Sequence, residues 1–484
     1  MAAAMRRSRR SRRRAATGPA PYPRGVERRN RSKQALVLAL ATIGSGSAFP
    51  ALAVAGDGLL LHRDTLTGDW GESRTGLADH GILLGADSID DAFANLSGGV
   101  RAGTTYEGRF EVLATLDLER LMGWQGAIVH ANAYQIHGRG LSSRSLGNNL
   151  LTVTNIEATT ATRLFDLWIE QTFFKGRLSL RIGQIAADDE FFVSPSAANF
   201  VNSTFGWPDI LSSSLPSGGP VYPLATPGVR LKYAVNNRLT FSAAAFSGDP
   251  AGPGTGDPQR RNHTGTAFRL NDGTFVIAEA AYGINQSSDA PGLPASFKLG
   301  VWFHSGSFAD QRFDRQGLPL ASPLSTGLPE THRRDAGAYL IVDQTVWRRK
   351  GTSDQGLAFF FRMSGAPSNR NKIALYGDAG VSFKGITPHR PDDVCGVAFA
   401  FAKIGKSAVA RDRDLIDLTG EPRSIRSYEA ALELTYRAQV TPWWALQPDV
   451  QIIFRPGAGV GLPDDPAKSI PTATVFGVRS SVIF

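Results

Sequence analysis

Tyr428-Glu429-Ala430-Ala431-Leu432-Glu433-Leu434-Thr435-Tyr436-Arg437-Ala438-Gln439 alternates in character without a break. Tyr428, Ala430, Leu432, Leu434, Tyr436 and Ala438 fall on one side, and Glu429, Ala431, Glu433, Thr435, Arg437 and Gln439 on the other. A strand turns successive side chains to opposite faces, so this run is a β-strand held between an apolar and a polar environment. The next segment repeats it, with Trp444, Leu446, Val450, Ile452 and Phe454 against Gln447, Asp449 and Gln451. At the end of the chain Thr474, Phe476, Val478, Ser480, Val482 and Phe484 stand opposite Arg479.

A soluble sandwich alternates in the same way, so strand count and connection length must decide. Working back from the terminus, sixteen strands are read near 80–92, 104–118, 125–136, 163–174, 177–185, 227–234, 238–246, 274–283, 296–305, 335–347, 356–364, 373–384, 392–402, 424–437, 443–453 and 472–484. The odd-numbered connections average about 23 residues and the even-numbered ones about 6, the asymmetry of a transmembrane barrel with long outer loops and tight periplasmic turns. A sandwich has no reason to sort loops by parity. The expected fold is therefore all-β, a transmembrane antiparallel β-barrel of about sixteen strands, with a short periplasmic helix between Trp70 and His80 ended by Gly81. The ring must close, because hydrocarbon offers an exposed strand edge no partner.

The apolar register is mostly free of charge. Phe359, Phe361 and Met363 face lipid, which turns Arg362 inward; Phe297, Leu299, Val301 and Phe303 do the same for Lys298, Trp302 and His304. Pro- and Gly-rich runs such as 248–254 fall in the long loops, and no repeat of 20–50 residues points to a propeller or solenoid.

The chain of 484 residues carries a formal net charge of +9, but twelve Lys and Arg against the single acid Glu27 lie within residues 1–34. The remainder holds 40 basic and 42 acidic residues, so no basic patch supports a nucleic-acid partner. The Arg-rich start, the apolar Ala35–Leu40 and the small residues Ala53-Val54-Ala55 have the order of a secretory signal, with translation starting at Met1, Met5 or beyond. This gives a signal or targeting region at 1–55, an N-terminal periplasmic segment at 56–80 and the barrel at 81–484. No apolar run is long enough for a membrane helix bundle. Cys395 is the only cysteine, which excludes a disulfide framework.

Three stretches resemble the carbohydrate-selective (OprB-like) porin family. The first is Leu66-Thr67-Gly68-Asp69-Trp70-Gly71-Glu72-Ser73-Arg74-Thr75-Gly76-Leu77, with Glu72 where the family usually has Gly. The second runs from Arg181-Ile182-Gly183-Gln184 through 199–206 to Gly218-Gly219-Pro220-Val221-Tyr222-Pro223. The third is 433–439 with Pro442-Trp443-Trp444-Ala445-Leu446-Gln447-Pro448-Asp449 and Arg455-Pro456-Gly457. The resemblance implies a sixteen-stranded outer-membrane channel that passes small carbohydrates, monosaccharides such as glucose, by facilitated diffusion.

A sugar offers C–H faces to aromatic rings and hydroxyls to Arg and carboxylate forks, so a sugar channel needs aromatics interleaved with both charge signs. Inward-register candidates for that constriction are Arg109, Glu111, Asp166, Trp168, Glu170, Arg181 and Trp302. Inward charge pairs also serve as structural networks, and Trp168 and Trp302 read equally as members of an interfacial aromatic girdle. The connection from Ala186 to Thr226 is expected to fold inward, bringing Phe191, Phe192, Phe200, Phe205, Trp207 and the acids Asp188, Asp189 and Glu190. Those acids are of the kind Ca²⁺ takes, but neighbouring loop acids are ordinarily solvated, so no cofactor is expected. Trp443-Trp444, beside a short turn, reads as a periplasmic interface anchor.

Outer-membrane placement makes lipid and lipopolysaccharide expected partners. The apolar-alternating strand ending in Phe484 resembles the signal read by the barrel-assembly machinery, and the chain is read as a monomer or homotrimer. A general-diffusion or anion-preferring porin without sugar selectivity is the alternative; mixed Arg and Glu in the inward register speak against a single-sign filter. No G-x-S-x-G, H-E-x-x-H or Walker-type phosphate loop supports an enzyme.

Overall fold

The computed structural model describes residues 60–147, 150–267, 269–287 and 290–484. The signal region assigned to 1–55 and the first residues of the 56–80 segment lie outside the described residues.

Sixteen antiparallel strands close into one barrel, each bonded to its neighbours in the chain and β1 to β16. The strands are β1 (Ile82–Ser97), β2 (Gly103–Asp117), β3 (Ala127–Gly138), β4 (Ala161–Phe173) and β5 (Leu178–Ile185). Then come β6 (Thr226–Ala234), β7 (Leu239–Ser247), β8 (Thr274–Ile284), β9 (Ala295–Asp314) and β10 (Pro329–Arg348). The ring is completed by β11 (Gly356–Gly365), β12 (Ile373–Lys384), β13 (Val394–Ile404), β14 (Tyr428–Thr441), β15 (Trp444–Phe454) and β16 (Ala473–Ile483). Connection length divides by end as the parity argument requires. Residues 139–160, 186–225, 248–273 and 405–427 all lie at one end, whereas 174–177, 235–238 and 442–443 suffice at the other.

The alternation quoted for β14 holds residue by residue. Glu429 and Glu433 are fully buried inside the ring, while Leu434 on the outer face is 54% exposed. Charge is concentrated within and bulky apolar side chains without, the reverse of a soluble protein.

Two expectations need correction. β9 and β10 each run 20 residues, well past the 296–305 and 335–347 read from the sequence. About ten residues cross the hydrocarbon, so this hairpin projects beyond the band at its long-loop end. There both faces meet water, and from Ser305 onward the outer positions lose the apolar alternation that marked the lower half. The helix expected over Trp70–His80 is shorter: α1 spans Ser73–Asp79. Trp70, Gly71 and Glu72 adopt positive φ, and Asp69 takes the Thr75 amide on Oδ1 at 2.8 Å and its hydroxyl on Oδ2 at 2.7 Å. From α1, Arg74 donates to the Phe484 carbonyl at 2.7 Å, tying the start of the described chain to its end.

Candidate functional site

On β1–β6 the inward side chains form a continuous ladder of opposite charges. The Arg109 guanidinium lies 3.1 Å from Asp87 and 3.3 Å from Glu111, and 4.8 Å over the Tyr134 ring. Asn132 donates to Glu111 at 2.8 Å and takes the Asp166 amide at 2.7 Å, where the β3–β4 register shifts between Ala131 and Ala133. One strand further, Arg181 lies 3.9 Å over the Trp168 ring, which stacks on His130 at 4.9 Å. Arg181 and Arg230 share two carboxylates, Glu170 at 2.9 and 2.5 Å and Glu190 at 3.2 and 2.7 Å. Gly183, at φ 150°, lets β5 pass close to Trp168: a Cβ there would lie 2.6 Å from the Trp168 Cα.

The expected constriction loop does fold inward. Residues 186–225 cross the lumen and are fastened to the far wall by charged side chains that take up loop backbone groups. Glu433 on β14 accepts the amides of Val201 and Asn202 at 2.7 and 2.9 Å. Asp343 on β10 holds Ser194 and the Ser196 amide, and Glu279 on β8 holds the Phe192 amide. Arg362 on β11 donates to the carbonyls of Phe192, Gly206 and Thr204 at 3.2, 2.9 and 2.8 Å. Its charge is met by Asp378, neither side chain having any solvent exposure.

A second loop, which the sequence did not single out, joins it. Residues 139–160 pair with the first by Asn155 N–H to Val201 O at 3.0 Å and Ser203 N–H to Thr152 O at 2.9 Å. Glu429 on β14 accepts the amides of Leu150, Leu151 and Gly457 at 2.9, 2.7 and 2.7 Å. Asp91 and Arg479 hold Thr154 from the other side. Loop carbonyls and amides removed from water need partners; Arg362 donates to the carbonyls and the wall carboxylates accept the amides, two or three at a time.

The loop's Phe residues named above are packed against the wall. Phe192 stacks on Tyr339 of β10 at 4.1 Å, and Phe200 and Phe205 pack on Phe360 of β11. They anchor the loop to the wall, because these five buried rings stabilise docking more than they would exposed to a watery lumen. The rings beside the charge ladder are Tyr134, Phe165 and Trp168 of the wall and Tyr222 at the end of the loop.

The three loop acids behave unlike one another. Burial raises the Glu190 carboxyl, but Arg181 and Arg230 outweigh it and hold it below its ordinary value. Asp188 is pushed up to about 7 by burial and by the neighbouring Asp189. Asp189 is raised by its burial. Since Glu190 turns to two arginines, the three carboxylates do not present a common face to a cation. Among the described residues, Asp310, Glu330 and His332 on the projecting hairpin are the group whose ligand atoms lie within 4.8 Å of one another, and there His332 is already paired with Asp310 at 2.7 Å.

Of the candidates named from sequence, Arg109 pairs with Glu111, which Asn132 links to the Asp166 backbone amide, and Arg181 pairs with Glu170 and lies over Trp168. Trp302, on β9, is buried and inward over Gly337 of β10, four strands from β5 and seven from β2, and does not join them. Asp87, Tyr134, Arg230 and the wall acids went unnamed, although alternation alone marks Arg230 as inward between Val229 and Leu231. Trp443 and Trp444 stack at 6.2 Å at the short-turn end.

Residues 101–484 match the family described as carbohydrate-selective porin, OprB family. Porin B of Pseudomonas aeruginosa is 25% identical over 466 residues, covering 93% of this chain and 96% of that one. A putative porin, QuiX, of Acinetobacter baylyi is 24% identical over 428 residues, covering 83% and 91%. Among solved structures, the high-pH structure of Pseudomonas putida OprB superposes with a TM-score of 0.78 at 24% identity, over 88% of this chain and 100% of that one. The low-pH structure of the same protein gives 0.52 at 19% identity, over 87% and 99%.

Proposed function

This chain belongs to the carbohydrate-selective porin family, OprB family, and from that premise we propose that its selectivity lies where loops 139–160 and 186–225 meet the β1–β6 charge ladder. It is an outer-membrane channel for carbohydrates, with its long loops extracellular and its tight turns and α1 periplasmic. The observation that carries the finer reading is the pairing of two of these aromatics with an arginine, Arg109 over Tyr134 and Arg181 over Trp168, among shared carboxylates. A monosaccharide meets there a ring for its C–H face and planar forks for its hydroxyls, from groups already held by one another. Each contact is individually weak, so a sugar is recognised and still released.

Small sugars such as glucose are the proposed cargo, moving passively. Export by a cleaved signal, contact with lipopolysaccharide and insertion by the barrel-assembly machinery through the Phe484 strand belong to the same reading. No metal or other cofactor takes part in it. Purified protein in planar bilayers should open in discrete steps that millimolar glucose partly blocks. Large steps indifferent to every sugar tested would instead make it a general-diffusion pore.

A further inference from the structure

The charge ladder is out of balance. Arg109 stands between two carboxylates, Asp87 and Glu111, while Arg181 and Arg230 are shared by Glu170 and Glu190. Three further acids then meet at the seam between wall and loop. Asp166 points inward from β4, and Asp188 and Asp189 enter at the start of the 186–225 loop. Arg181 acts on Asp166 and Asp189 from a distance, but its own bridges go to Glu170 and Glu190. Asp188 Oδ2 accepts the Tyr222 amide at 3.1 Å, which seats the seam beside the Tyr222 and Tyr134 rings, 5.6 Å apart.

An orphaned oxygen sits among these acids. Asp166 is 3% exposed, its carboxyl is in hydrogen-bond contact with that of Asp189, and its Oδ1 has no hydrogen-bond partner. Two carboxyls share a bond only with a proton between them, so the pair holds acceptors in surplus and lacks a donor. A buried acceptor left without a donor is costly, and a solute that brings one is favoured there. Asp188 and Asp189 are half-buried, so the seam is open to water. Among the described residues these three acids do not draw their oxygens within 4.8 Å of one another, as Asp310, Glu330 and His332 do, so they do not gather round a bare metal ion. An ammonium carried on a larger molecule needs only one or two of them as acceptors and feels the others through their field.

We propose that this channel favours amino sugars, hexoses that carry a protonated amine, over neutral ones, with Asp166, Asp188 and Asp189 receiving the ammonium while Tyr134, Tyr222 and Arg109 meet the ring. The proposal rests on the reading of the barrel as a carbohydrate channel and names the class of carbohydrate. An ammonium offers three donors in different directions, which suits carboxylates that arrive from wall and loop. Where Asp166 and Asp189 share a proton, the ammonium takes its place and the proton leaves to solvent. A sugar acid meets the same groups as repulsion, so the seam discriminates by charge as well as by ring.

The test measures block of single-channel current in planar bilayers at neutral pH and constant ionic strength. The probes are glucosamine, glucose, N-acetylglucosamine, glucuronate and methylammonium. Glucosamine should block at about one tenth of the concentration that glucose needs, a difference of about 1.4 kcal/mol. N-acetylglucosamine, which keeps the ring and loses the charge, should show no such gain, and glucuronate should block less than glucose. Asp189→Asn and Asp166→Asn should each remove most of the glucosamine gain, whereas a merely structural role would weaken block by both sugars in the same proportion. Heat-modifiable gel mobility separates a lost site from a lost barrel. Block by glucose with no advantage for glucosamine overturns the proposal and leaves the carbohydrate channel standing; block by no sugar overturns both. Methylammonium as effective as glucosamine, or folded variants that both keep the gain, overturn it too.

Discussion

Replacing Arg362 by Met tests what holds the constriction in place. The substitution keeps the volume but removes three hydrogen bonds to loop carbonyls and leaves the Asp378 charge with only the Tyr376 hydroxyl for a partner, in a site without solvent. Breaking a buried ion pair by deleting one partner costs about 3–5 kcal/mol. The sixteen-strand ladder does not depend on this side chain, so the loss falls on docking of 186–225 rather than on the barrel. At about 1.4 kcal/mol per tenfold, the detached population of the loop should rise by roughly two to three and a half orders of magnitude. In planar bilayers Arg362→Met should show larger, noisier conductance steps and lose most glucose block, while running as a folded barrel on an unheated gel. Adding Asp378→Asn removes the stranded charge but not the orphaned carbonyls, so the double variant should fall between the two. Parent-like conductance and sugar block in Arg362→Met would refute the idea that wall charges clamp the loop.

Arg109→Ala or Glu111→Ala should weaken glucose block several-fold without preventing insertion, read as the blocking constant in the same bilayers; unchanged block in both would remove this pair from the sugar path. Asp188, with its carboxyl raised to about 7, is neutral below that pH and anionic above it. An acid raised by folding favours the docked loop below its unfolded value, and that contribution is lost as pH rises through about 7. Cation preference, measured as reversal potential in a KCl gradient, should therefore step up across that pH, and Asp188→Asn should flatten the step. Arg74→Ala removes the bond to the Phe484 carbonyl and those to Thr65 and Gly68, worth about 1–3 kcal/mol locally, so limited proteolysis should cut near α1 while the barrel resists.

The barrel was legible because its strands lie between lipid and water, and each inward-outward switch is written in single residues. Arg362 between Phe361 and Met363, and Glu433 between Leu432 and Leu434, point inward by position alone. The rim of the barrel was not legible, because beyond the hydrocarbon β9 and β10 have water on both faces and no apolar period to read. Length and aromatic content marked 186–225 as the inserted loop, but the destination of its rings was hidden. Phe192 meets Tyr339, and Phe200 meets Phe360, across more than a hundred residues of chain. Loop 139–160 carries no such aromatic cluster and is held by backbone amides on Glu429, a contact that leaves no mark on composition.

Liposome swelling bears most directly on the central claim that this barrel is a carbohydrate channel narrowed by two inserted loops. Vesicles carrying the protein should swell quickly in monosaccharides such as glucose and much more slowly in disaccharides. They should also admit glucose faster than an uncharged non-sugar solute of equal size. Swelling rates that follow solute size alone, with no preference for the sugar, would contradict the account.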